Sequence, residues 1–157
     1  MLPVAQKKKS ENRPLSMLQR GGTMEYQEEI TITFDEADPA GILFFGRFFN
    51  LAHRLIESFV RASGISWKNW YDHPEWAVPI RHSNADYQKP LMVGETYMAK
   101  LNVQKLGDSS VTFGIYFYDG DTVCAHITTT HVFITKPDMK KRSIPDEIRE
   151  KLKPYCA

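Results

Sequence analysis

Residues 43–63 carry the longest helical pattern in the chain, and its apolar side is too wide for an ordinary surface helix. Phe45, Phe48, Phe49, Ala52, Ile56, Phe59 and Val60 recur at i, i+3, i+4, i+7 spacing, and Leu51 and Leu55 broaden the stripe. Arg47, Asn50, Arg54, Ser58 and Arg61 leave only a narrow wet side. Gly64 stands where a glycine past the last turn ends a helix. A helix of this kind must be swallowed by something, and the rest of the sequence supplies strands.

Before the helix, residues 25–34 alternate. Tyr26, Glu28, Ile30, Ile32 and Phe34 point one way, with Gln27, Glu29, Thr31 and Thr33 opposite, the period of a half-buried strand. Residues 35–41 (DEADPAG) are turn chemistry: carboxylates, a proline that fixes φ, and a glycine that tolerates positive φ. After a connection over 65–76 that holds all three tryptophans, strands are predicted over 77–89, 96–106, 109–118 and 122–136. Asp119-Gly120 is a hairpin signal. A short helix is expected over 144–153, with Pro145 in its first turn and Asp146 and Glu147 at the positive end of its dipole. Tight turns between strands imply an antiparallel sheet of five or six strands. One long helix against it makes the class α+β.

The chain has 157 residues, enough for one domain with a core that needs no disulfide or metal staple. A formal net charge of +1 argues against a general nucleic-acid binder, which needs a surplus of Lys and Arg. The longest apolar run, Ile42-Leu43-Phe44-Phe45, is far short of the roughly 20 residues of a membrane-spanning helix, so no membrane partner is expected. Cys124 and Cys156 form no disulfide framework and no CxxC pair, which fits a reducing, cytoplasmic setting. Residues 1–23 stand apart, with five basic side chains against one acidic and no periodicity. They read as a flexible basic arm ahead of a domain over 24–157, with a later start at Met17 or Met24 and an organelle-targeting peptide as the alternatives.

Familiar catalytic patterns are missing: no GxSxG elbow, HExxH or GxxxxGK[ST] occurs. His126 and His131 are five apart in a predicted strand, hence on opposite faces, and no metal site is expected. What remains is the carboxylate cluster Asp35, Glu36 and Asp38, set between a strand and the enclosed helix. One reading makes these turn and cap residues. The other faces a carboxylate toward free N–H groups around Phe45 and Gly46, a pairing competent for acyl transfer. In that reading Gly46 lets a substrate carbonyl approach the backbone closely.

The stretch Asp35-Glu36-Ala37-Asp38-Pro39-Ala40-Gly41-Ile42 resembles the D-x-D-x-A-G-[IV] signature of the 4-hydroxybenzoyl-CoA thioesterase branch of hotdog-fold proteins. Val78-Pro79-Ile80, Asp86-Tyr87, Lys89-Pro90-Leu91 and Gly94-Glu95 are similar to that family's second-strand pattern, and the resemblance runs over about 25–136. It implies a sheet wrapped around the long helix, and hydrolysis of an acyl-CoA thioester to a carboxylate and free CoA. Asp38 falls on the family's nucleophile or general base, and the Phe45 and Gly46 N–H groups fall on its oxyanion donor. Many members carry a Tyr-His pair where this chain has Phe44-Phe45. The resemblance further implies a homodimer or homotetramer with no cofactor beyond the CoA of the substrate.

His53 and Glu57, at i, i+4, share one helix face. They are either a surface pair or part of the substrate pocket. Their placement with Ala77-Val78-Pro79-Ile80 is similar to the subgroup that hydrolyses 1,4-dihydroxy-2-naphthoyl-CoA. Trp67, Trp70 and Trp76 either seal the core or build an aromatic acyl pocket, with Trp67 the substrate-binding candidate. Two rival functions stay open: a hotdog dehydratase using His53–Glu57, and a non-catalytic acyl-binding protein.

Overall fold

The computed structural model describes residues 18–157. Along the chain it places β1 (Leu18–Arg20), β2 (Thr23–Thr31), a 3-10 turn (Phe34–Glu36), α1 (Arg47–Ala62), α2 (Trp67–Tyr71), β3 (Trp76–Ala77) and β4 (Ile80–Tyr87). Then come β5 (Thr96–Leu106), β6 (Ser110–Asp119), β7 (Thr122–Val132), β8 (Ile134–Thr135), α3 (Asp146–Leu152) and a closing 3-10 turn (Lys153–Tyr155). Six strands form one antiparallel sheet in the order β1-β2-β5-β6-β7-β4, and β3 pairs with β8 apart from it. The sheet reaches into the segment assigned to the arm, because Leu18–Arg20 pair with β2. The rest of the arm, residues 1–17, lies outside the described residues.

The sheet curls around α1. Tyr97, Ala99, Leu101 and Val103 of β5, with Val111, Phe113, Ile115 and Phe117 of β6, are the buried sets that the alternation singled out. They meet Phe48, Leu51, Ala52, Leu55, Ile56, Phe59 and Val60 of the helix. Phe59 packs edge-on to Phe113 with ring centroids 5.6 Å apart, and Phe48 to Phe117 at 5.7 Å. The end of the chain plugs the open side: Ile148, Leu152 and Tyr155 are buried, and Tyr155 meets Phe59 at 4.8 Å.

The helix stops as expected. Gly64 has φ +78°, its N–H donates to the Arg61 carbonyl, and the Ile65 N–H reaches back to Val60 at 3.2 Å. These are the two bonds of a Schellman ending. The start differs from expectation, lying at Arg47 rather than residue 43. Leu43 N–H donates to Leu91 O at 2.7 Å and Phe44 N–H to Glu36 O at 3.0 Å, so this stretch is held extended by partners beyond the reach of a helical turn. Phe45 is consequently 62% exposed instead of part of the buried stripe, and Phe34 is 90% exposed because β2 ends at Thr31. The strand expected over 77–89 is broken at Val78-Pro79 into β3 and β4, and that over 122–136 divides where Phe133 turns β8 away to meet β3.

His126 and His131 do face opposite sides. His126 stacks on Tyr116 on the outer face, whereas His131 is 2% exposed beside Trp70 and Phe113, its Nε2 3.1 Å from Thr129 Oγ1. Burial, aided by the nearby charge of His53, pushes the His131 pKa down to about 4. Unfolded, the same imidazole titrates near about 6.5. The folded value lies below the unfolded one, so this group's stability contribution is complete above about pH 6.5 and is lost as pH falls toward about 4. The loss is about 3 kcal/mol, since each unit is worth about 1.4 kcal/mol. Urea midpoints taken at about pH 7 and about pH 4.5 are expected to fall more for the wild type than for His131→Gln. Equal falls in the two proteins contradict a buried neutral imidazole.

Candidate active site

The turn that carries Asp38 is built by its own side chain. Asp38 Oδ1 accepts the Ala40 N–H at 2.8 Å, the Gly41 N–H donates to the Asp38 carbonyl at 3.0 Å, and Gly41 takes φ +77°. A small hairpin results: Asp38 N–H donates to Ile42 O at 2.9 Å, and Ala37 bridges Leu43. Asp38 is half-buried, and among the described residues its Oδ2 has no hydrogen-bond donor. The same carboxylate thus caps the turn with one oxygen and leaves the other without a donor among the described residues. Asp35 and Glu36 differ from it. Asp35 is exposed, and the Thr33 hydroxyl, its own backbone N–H, and the charges of Arg47 and Arg54 hold its carboxyl below the usual range. Glu36 is buried, accepting Arg54 Nη2 at 2.8 Å on one oxygen and the Thr33 N–H at 3.0 Å on the other.

The second half of that hairpin runs into the helix. Gly46 is the N-cap, has no side chain to cap with, and is followed by a first turn without an acidic residue. Among the described residues neither the Phe45 nor the Gly46 N–H donates to any group. Two orphan donors at the positive end of a 16-residue helix are suited to a developing negative charge. The Phe44 ring lies over Gly46, its Cε1 3.0 Å from where a Cβ would stand, so the glycine makes room for that ring.

Beside these donors is a pocket of about 330 Å³, with Ile42, Leu43, Phe45, Phe48, Tyr87 and Pro90 as apolar walls and Lys89 as a cation in its lining. Asp38 stands on the hairpin next to it, bonded to Ile42. A second hollow of about 490 Å³ lies along the wet side of the helix, lined by Asp35, Arg47, Asn50, His53 and Arg54 among others.

His53 and Glu57 do pair, with Nε2 3.0 Å from Oε1, and Glu57 also faces Arg61 at 3.9 Å. At a rise of about 1.5 Å per residue they stand about 10 and 16 Å along the axis from Gly46. Trp67 belongs to the same cluster: its ring meets Tyr71 at a tilt with centroids 4.3 Å apart, Tyr71 lies 6.1 Å from His53, and Arg61 covers the indole at 5.1 Å. The structure thus links His53, Glu57 and Trp67 with one another rather than with Phe45 and Gly46, with His53 in the first half of the helix, where it also lines the larger hollow with Asp35 and Arg47. The three tryptophans do not form one aromatic pocket. Trp70 is buried against Phe113 and Phe133, and Trp76 is buried with its indole N–H on Asn69 O at 2.8 Å, whereas Trp67, one turn before Trp70 on α2, lies at the surface.

Two residues that sequence reasoning passed over bear on these sites. Tyr71 has a buried hydroxyl with no partner among the described residues, and burial together with the Glu57 charge pushes its pKa up. Tyr87, noted only as a motif letter, sends its hydroxyl to the Phe45 carbonyl at 3.1 Å. Among the described residues, no three His, Cys, Asp or Glu side chains converge as metal ligands, and no helix is long and apolar enough to cross a membrane.

Known proteins share this architecture. A 1,4-dihydroxy-2-naphthoyl-CoA hydrolase of Nostoc punctiforme is 30% identical over 125 residues, 80% of this chain and 84% of the relative. One from Crocosphaera subtropica is 28% identical over 116 residues, 72% of this chain and 84% of that one. A crystal structure of a 1,4-dihydroxy-2-naphthoyl-CoA thioesterase from Synechocystis superimposes with a TM-score of 0.75 at 21% identity, covering 82% of this chain and 95% of the other. The family described as Thioesterase-like superfamily matches residues 32–152, from the last core residue before the Asp38 turn to the end of α3. By sequence and by fold the chain belongs to that superfamily, as a hotdog-fold thioester hydrolase.

Proposed function

We propose that the chain hydrolyses an acyl-CoA thioester with a bulky aromatic acyl group, of the naphthoyl kind, to the carboxylate and free CoA. Asp38 is the reacting carboxylate, and the N–H groups of Phe45 and Gly46 receive the oxyanion. The observation that carries this reading is the pair of unpartnered amides at an uncapped helix start, on the same hairpin as a carboxylate whose Oδ2 is free. Two routes use these groups. In one, Oδ2 attacks the thioester carbon, the carbonyl oxygen takes negative charge against the amides, and the C–S bond breaks to give an acyl-aspartyl anhydride and CoA thiolate. Water then opens the anhydride to two carboxylates, and of its two protons one goes to the thiolate and the other to solvent. In the other, Asp38 takes a proton from water as that water attacks, and passes it to the leaving sulfur. Both regenerate the carboxylate, and neither calls for a cofactor beyond the CoA of the substrate.

The apolar lining of Ile42, Leu43, Phe45, Phe48 and Tyr87 suits a flat acyl group better than a polar one. A dehydratase is less well supported, because the His53–Glu57 pair it would use stands along the helix from the orphan amides. We also propose at least a dimer. Strand β4 is a sheet edge with its eight residues mostly exposed, and its end residues Ile80 and Tyr87, with Phe44 and Phe45, leave apolar side chains at the surface that a second copy would cover.

Thiol release followed with a thiol-reactive dye, over aromatic, naphthoyl and aliphatic acyl-CoAs and an acyl carrier protein thioester, tests the proposal. Turnover is expected to be fastest on the aromatic CoA esters. A folded protein that frees no thiol from any of them overturns it, and preference for an aliphatic chain overturns the acyl class.

A further inference from the structure

Resting on the hydrolase reading above, we infer that Tyr87 is a positioning residue that clamps the peptide carrying the Gly46 oxyanion donor. The carbonyl of Phe45 and the N–H of Gly46 are the two ends of one planar unit, so holding one aims the other. Two donors hold that carbonyl: the Tyr87 hydroxyl at 3.1 Å and the Phe48 N–H at 3.3 Å. The opposite end, the Gly46 N–H, has no acceptor among the described residues.

The clamp has a firm mount. Tyr87 ends β4 in register with Ala125, and the next two amides, Gln88 and Lys89, both donate to the Cys124 carbonyl at 2.8 and 2.9 Å. Its ring rests on Phe48, with centroids 4.9 Å apart, and meets Phe45 edge-on at 6.5 Å. The joint it holds is otherwise soft, since the N-cap is a glycine with no side-chain hydrogen bond of its own.

Such a hydrogen bond does more than orient. A donor on an amide oxygen polarises the amide and strengthens what its N–H can donate. As the thioester carbonyl becomes a tetrahedral oxyanion, its growing charge polarises the Gly46 N–H and pushes density through the amide onto the Phe45 oxygen, which becomes a better acceptor, and the Tyr87 bond tightens in step. The stabilisation grows toward the transition state, so it belongs in kcat rather than in KM. Deleting an oxyanion donor outright costs about 100-fold or more, so weakening one through its peptide is expected to cost about tenfold.

Tyr87→Phe removes the hydroxyl and keeps the ring contacts. Chain labelled with 15N-glycine gives nine backbone amide signals, of which Gly46 is one. In Tyr87→Phe the Gly46 signal is expected to move upfield while the distant glycines stay put, and kcat for the fastest acyl-CoA is expected to fall about tenfold with KM within about twofold. An unmoved Gly46 signal overturns the clamp. A moved signal with unchanged kcat, or a rise in KM alone, overturns its part in the reaction. Absence of thiol release by the wild type overturns the hydrolase reading and the catalytic role together, with the Gly46 signal still deciding whether the clamp exists.

Discussion

Asp38→Asn is expected to lower kcat for thiol release by at least about 100-fold, a loss of about 2.7 kcal/mol in barrier lowering, with the fold intact. The substitution separates the two roles of this side chain. An asparagine retains the Oδ1 that accepts the Ala40 N–H at 2.8 Å, so the turn and the hairpin to Ile42 survive. It lacks a negatively charged oxygen, so it can neither add to a thioester nor take a proton from water. Asp38→Ala removes both functions and is expected to lose a further 1 kcal/mol or so of stability with the capped turn. Rates from both variants, set beside their urea midpoints, separate chemistry from structure. If Asp38→Asn turns over within a few-fold of the wild type, Asp38 is a turn residue and the reacting carboxylate lies elsewhere.

Phe59→Ala is expected to remove about 3 to 5 kcal/mol of folding stability, the largest effect of any single truncation considered. That is a large share of the roughly 5 to 15 kcal/mol a domain of this kind possesses. Phe59 is fully buried at the middle of the contact between helix and sheet, touching Tyr26 at 6.0 Å, Phe113 at 5.6 Å and Tyr155 at 4.8 Å. Its loss therefore opens a cavity shared by the helix, two strands and the C-terminal plug, none of which can close it alone. Phe45→Ala is the matched control: the same deletion at a 62% exposed site is expected to change stability by less than about 0.5 kcal/mol. Urea unfolding of the two variants checks both. A loss under about 1 kcal/mol at Phe59 would mean that the sheet does not grip the helix.

These expectations depend on how the fold was encoded. Alternation along 96–106 and 109–118 named the inward residues of β5 and β6 without error, because a half-buried strand must put its apolar residues on every second position. Gly64 was legible as a helix end for a comparably local reason: its φ of +78° suits a residue without a Cβ. The Asp38 turn was legible too, since Asp, Pro and Gly act on the backbone within a few residues of themselves.

Where the reading missed, a distant neighbour had decided. The apolar run 42–45 suits a helix as well as a strand, and Leu91 and Glu36 settle it by accepting the N–H groups of Leu43 and Phe44. The three tryptophans look alike in a composition count, yet two are core and Trp67 lies at the surface with Arg61 and Tyr71. The pairing of His53 with Glu57 was visible from i, i+4 spacing, whereas its distance from the helix start only matters once the orphan amides are located.

The sequence by itself determined a helix that must be wrapped, the strands that wrap it, and a carboxylate turn at the helix's entrance, because periodicity and turn chemistry act between near neighbours. Only the tertiary structure decided where that helix begins, which amides it leaves without partners, and that a tyrosine 42 residues away holds the Phe45 carbonyl. Hydrogen bonds between segments far apart in the chain leave no period to read.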